Sequence, residues 1–197
     1  MKVDLRTEKN MGLIGSILSL VGGLLGSVPY VGVLFSLVSL VGFVLLLVAL
    51  KGIGDKLGDD RPFRYLLYSV IALIGGLVLF IILAVAGIIS LAALEGEGGE
   101  VFALGIVIFG LLLFLAVLVV AVYFEIQAWR ATYEITGVEE FNQVATFLKW
   151  GAITLIILVG AILLLVAQIF QIIAFSKLPE EMEVGGGEEL QEGALVY

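Results

Sequence analysis

The 197-residue chain has no cysteine and no histidine. The first absence removes disulfides, thiolate metal ligands and thiol nucleophiles, and it leaves the redox compartment unread. The second removes the commonest metal ligand and the usual general base near neutral pH. Proline is scarce, at three residues, so each one marks a turn or a helix start. Charged residues make up only 14% of the chain, and long stretches have none at all. Met11–Leu50 carries no charged side chain, and neither does Tyr65–Leu94. An apolar run of about 18 residues already suffices to span a bilayer.

Hydrophobic residues fill 61% of the sequence, against roughly 45–50% in ordinary soluble domains, and the mean hydropathy is +1.21. The fold class is therefore all-α: a polytopic membrane protein of about five transmembrane helices, with the lipid bilayer as its first partner. A net charge of −8 argues against nucleic acid.

Residues 1–10 form a short polar arm with Lys2, Arg6 and Lys9. It is read as the flank of a retained first helix, because the apolar run continues past any cleavage site and no A-x-A pattern closes it. The transmembrane domain covers 11–176, with spans expected at 11–27, 31–50, 66–94, 101–124 and 150–176. The first two form a tight hairpin, since Pro29 fixes its own φ and biases Val28 away from the α region. In Lys51–Arg64, Gly58 can end one helix while Asp59 or Asp60 caps the next, with Pro62 in its first turn. Ile126, Trp129 and Tyr133 share one helical face, which predicts an interfacial helix over 125–136. Gly137 allows a break there, and Thr136 with Glu139 suits a capping box. Residues 177–197 read as an acidic, disordered tail.

Nine of the ten Lys and Arg residues fall on one side of this five-span layout. The positive-inside rule then predicts a cell-membrane protein with a cytoplasmic N-terminus and an extracellular C-terminus.

Small residues are the most suggestive pattern. Gly15, Ser19, Gly23 and Ser27 recur every four positions, and Gly160, Ala167 and Ala174 every seven. Such faces let helices approach closely, either within the chain or against a second copy or another membrane protein. Gln168 and Gln171 are the most polar side chains deep in a span. Interhelical hydrogen bonding is their expected role, and lining a solute path is the alternative. Val41–Ala49 and Val159–Ala167 match at seven of nine positions, which in this topology would make an inverted repeat of the kind found in transporters.

No constellation supplies a nucleophile with its base, so no enzyme is expected. No cofactor or metal is expected either. Asp55, Asp59 and Asp60 do not fit a calcium loop and are explained by capping and solvation, as are Glu95, Glu97 and Glu100. The GIGDKLG stretch lacks phosphate-loop spacing and follows no strand.

Leu13–Arg64, with its Gly/Ser-rich first span, Pro-Tyr turn and Leu/Val-rich second span, resembles an uncharacterised family of archaeal multi-spanning membrane proteins, a domain of unknown function. Phe141–Pro179 resembles that family's last span. The resemblance implies an archaeal cell-membrane location and transfers no activity or functional residue. The expected role is structural or interaction-type without catalysis, with a small transporter or channel as its rival. A hydrated cavity near Gln168 would favour the rival, and dry packing the structural role.

Overall fold

The computed structural model describes residues 2–26, 28–93, 97–154 and 159–183. Six helices run in order: α1 (Arg6–Gly26), α2 (Gly32–Leu57), α3 (Arg61–Ala93), α4 (Glu97–Thr136), α5 (Glu139–Thr154) and α6 (Val159–Lys177). Two short strands flank them, β1 (Lys2–Asp4) and β2 (Glu181–Glu183). Five of the helices, all but α5, are long and apolar enough to cross a membrane. The chain is a multi-pass α-helical membrane protein.

The helices form three antiparallel hairpins, and local chemistry sets their ends. Asp4 accepts the Arg6 N–H at 2.9 Å to start α1. After α1 the chain reverses at Pro29 and Tyr30, with Tyr30 held at φ 69° and the Val31 N–H donating to the Pro29 carbonyl at 2.9 Å. Gly58 ends α2 at φ 78°, where a Cβ would be disfavoured. Asp59 then caps α3 by accepting the Arg61 N–H at 3.0 Å. Gly137, at φ 66°, separates α4 from α5.

Glycine allows the close approaches inside the first hairpin. A Cβ on Gly15 would stand 2.7 Å from the Gly42 carbonyl oxygen, and one on Gly22 would stand 2.4 Å from the Ser39 nitrogen. In the third hairpin, Phe147 stacks on Phe170 at 5.1 Å and Gly151 faces Leu164. Each helix touches the next, and α6 closes the ring on α1, where the Phe175 ring occupies the space beside Gly12.

Several sequence expectations are corrected by this arrangement. The face of α1 against α2 uses Gly15, Ser19, Gly22 and Gly26, with Ser19 packed on Gly42 as expected, whereas Gly23 has nothing within 4 Å. The reason is geometric. Steps of four residues drift by about 40° each on a helix of 3.6 residues per turn, so alternating steps of four and three stay on one line. Ser27 lies outside the described residues.

Residues 125–136 are no separate interfacial helix but the unbroken end of α4. Trp129 is 2% exposed. It stacks on Phe141 at 5.9 Å and meets Phe175 edge-on at 6.3 Å, so this stripe faces the bundle core.

The expected last span, 150–176, is instead divided between α5 and α6, which lie side by side. An extra reversal therefore brings the chain back: β2 pairs with β1 in antiparallel register, Val3 opposite Met182. These backbone hydrogen bonds bring Lys2–Asp4 and Glu181–Glu183 together at one end of the bundle. Glu181–Glu183 belong to this ribbon, while the expected disorder from 184 onward lies outside the described residues. For the same reason α2 and α6 both run toward the ribbon, so the Val41–Ala49 and Val159–Ala167 likeness is parallel, not inverted.

Candidate functional site: a chamber enclosed by all six helices

The helix ring borders a partly open cavity of about 270 Å³. Every helix contributes to its wall: Ser16 and Ser19 from α1, Leu46 from α2, Leu66 from α3, Glu125 and Trp129 from α4, Leu148 from α5, and Ala167, Gln168 and Gln171 from α6. The polar members arrive by simple helical arithmetic. Ser16/Ser19 and Gln168/Gln171 are i, i+3 pairs, and Glu125/Trp129 is an i, i+4 pair, so each pair shares one face. Small residues make room for them. Ala167 is 1% exposed, and Gly160, Ala167 and Ala174 are all buried along α6.

The chamber sits well inside the bundle. Glu8 packs on Gly52, Phe175 on Gly12, and Lys177 pairs with Glu140, which sets the level of the ribbon end. Gln171 and Gln168 stand six and nine residues beyond Lys177, or about 9 and 14 Å at 1.5 Å rise per residue. That depth approaches the middle of a hydrocarbon core roughly 30 Å thick.

Two polar atoms beside the cavity lack hydrogen-bond partners among the described residues. The Ser19 hydroxyl and the Trp129 indole nitrogen are buried without a hydrogen bond among the described residues. The indole N–H faces the Glu125 carboxylate but outside hydrogen-bonding geometry. Ser16, by contrast, donates to the Gly12 carbonyl at 2.7 Å. Gln168 and Gln171 both line the cavity, and neither forms a hydrogen bond to another helix among the described residues. A buried polar atom left without a partner costs about 1–3 kcal/mol, so both atoms weigh against the stability of the bundle.

The chain matches the family described as "Protein of unknown function (DUF996)" over residues 38–169. It belongs to the DUF996 family. It is also 29% identical, over 92% of its own length and 97% of the relative's, to "Uncharacterized protein MJ1644" of Methanocaldococcus jannaschii. No solved structure matches. The stretch shared with DUF996 includes Glu125, Trp129 and Gln168 but stops short of Gln171.

Of the sequence candidates, the structure brings Ser19, Ala167, Gln168 and Gln171 to the chamber. Gly15 packs against α2, Gly160 lies beside Gly151 on α5, and Gly23 stands apart. Sequence reasoning missed Glu125 and Trp129. Glu125 directly follows a run of eighteen Leu, Ile, Val or Phe in twenty-four residues, so it reads as the end of a span. The signal that could have found it is the aromatic on its own face four residues later. Among the described residues no group of three or more acidic, His or Cys side chains could hold a metal ion.

Proposed function

We propose that this DUF996 protein is a small transporter or channel that admits a small polar solute, cationic in preference, to the chamber lined by Glu125, Gln168 and Gln171. One observation carries the reading: a cavity lined by residues of all six helices, with the Glu125 carboxylate and the Gln168 and Gln171 amides among its lining side chains. A purely structural bundle has no use for these groups, since ionisable residues inside a membrane are expensive and usually mark ion or proton paths. Glu125 supplies a carboxylate to the site, the amides supply both donors and acceptors, and Trp129 supplies an aromatic wall. The role includes no covalent chemistry.

This reading puts the ribbon end in the cytoplasm. Nine of the ten basic residues lie in the ribbon, in the turns beside it or at the helix ends that meet it, and Lys149 lies along α5. The turns at the far end carry none, which fits the positive-inside rule.

The test is reconstitution into liposomes under a gradient of potassium, ammonium or methylammonium. Flux through the wild type is expected at least tenfold above protein-free vesicles, with Glu125→Gln lowering it tenfold or more while thermal stability holds. Ser19→Cys, in a chain free of other cysteines, is expected to react with a small cationic thiol reagent. Flux equal to that of empty vesicles for all three cations, together with a protected Ser19→Cys, would leave the bundle a dry structural unit and sink the proposal.

A further inference from the structure

We propose that the outer groove between α4 and α5 is a binding site for one anionic phospholipid, its phosphate on Arg130 and Lys149 and an acyl chain along Leu118, Val122 and Ile153. The groove measures about 490 Å³, and its wall is chiefly apolar. Outward apolar surface is ordinary on a membrane protein and carries no argument alone. The pair of cations on this groove does.

Arg130 and Lys149 are both exposed, and neither forms an ion pair with a described residue. Glu134, one turn beyond Arg130 on α4, is engaged elsewhere, bridging Arg61 at 2.9 Å. The Lys149 ammonium lies 5.7 Å from the centre of the Trp150 ring, a contact that attracts it without supplying a counter-charge. Position makes the need sharper. Lys149 stands ten residues beyond Glu139, about 15 Å along α5, on a face that meets lipid. A cation held there is costly unless its head reaches the interface or meets an anion. Arg130, six residues from the end of α4, approaches the same groove from the other wall. Two unpaired cations above an apolar furrow complement a lipid phosphate carrying an acyl chain. A free phosphate would leave the furrow empty, and a zwitterionic lipid would leave the cations uncompensated. Basic pockets between transmembrane helices recognise lipid head groups by this chemistry. The site is on the outside of the bundle and stands whether or not the chamber conducts.

The experiment is native mass spectrometry of the full chain in detergent with equal phosphatidylglycerol and phosphatidylcholine of matched chains. The wild type is expected to retain one phosphatidylglycerol with about a tenfold preference. Arg130→Gln with Lys149→Gln should bring the two lipids to parity, and the charge-preserving pair Arg130→Lys with Lys149→Arg should keep most of the preference. Val122→Trp, which fills the furrow and leaves both cations, should also lose the lipid, whereas Arg64→Gln should change nothing. If the double glutamine variant does not fold, Val122→Trp against the charge-preserving pair decides. Equal retention of the two lipids by the wild type, a preference untouched in the tested variants, or displacement by millimolar inorganic phosphate would overturn the proposal.

Discussion

Glycine decides the first hairpin one position at a time. Gly22 and Gly23 are neighbours in sequence with the same intrinsic cost in a helix, yet their surroundings are opposite. A Cβ at Gly22 would lie 2.4 Å from the Ser39 nitrogen and 2.6 Å from the Phe35 carbonyl oxygen, both backbone atoms that cannot move aside. At Gly23 it would meet nothing. Gly22→Ala is therefore expected to destabilise by about 1–3 kcal/mol, the usual cost of overpacking, while Gly23→Ala should be neutral or slightly stabilising through helix propensity. Thermal unfolding in detergent separates them, and equal midpoints would refute the assigned face. The small-residue signal was thus legible in the sequence, but its phase was not. A strict four-residue repeat and a four-three alternation part by only one position, at the second step, and only a partner helix selects between them.

At the scale of elements, capping chemistry was readable and the final reversal was not. Pro29, Gly58, Asp59 and Gly137 each act where residue type alone places a turn or a cap. Hydropathy marked how far apolar sequence extends, but helices continue through charged residues until a cap stops them, so α2 runs on past Lys51 to Leu57 and α4 past Glu125 to Thr136. The division between α5 and α6 fell inside one unbroken apolar run with neither proline nor charge to announce it. What reveals it is pairing: Phe147 with Phe170, Gly151 with Leu164, Glu140 with Lys177. The prediction that belongs here is topological. Cysteines replacing Val3 and Met182 are opposite in the ribbon and should cross-link with a short bifunctional reagent. Met182→Cys should also share its accessibility in intact cells with a cysteine at Gly54, while one at Gly98 behaves oppositely. Met182 labelling together with Gly98, and no cross-link to Val3, would restore an odd number of crossings.

For the molecule as a whole, the polar ties gather at the ribbon end, and the chamber and apolar hairpin tips lie beyond them. Arg61 is central among these ties. It pairs with Asp59 at 2.7 Å and with Glu134 at 2.9 Å, joining the turn between the first two hairpins to the exit of α4. The hydrogen bond from Arg61 holds the Asp59 carboxyl below its ordinary value of 3.8, against a smaller opposing effect of burial. A carboxyl depressed in the fold stabilises it above the unfolded pKa, and that contribution is lost as pH falls through the lower folded value. The loss therefore begins below about pH 4 and does not appear between pH 5 and 8. Because both side chains are partly exposed, the amount is that of a surface pair, about 0.5–1 kcal/mol. Asp59→Asn keeps an N-cap acceptor while removing the titration, so its unfolding midpoint in detergent should fall less between pH 5 and pH 3 than the wild type's. Asp59→Ala removes both and should lose a further ~1 kcal/mol at every pH. Parallel pH profiles for wild type and Asp59→Asn would mean that this junction does not report on folding, and that the ring is held by its helix contacts alone.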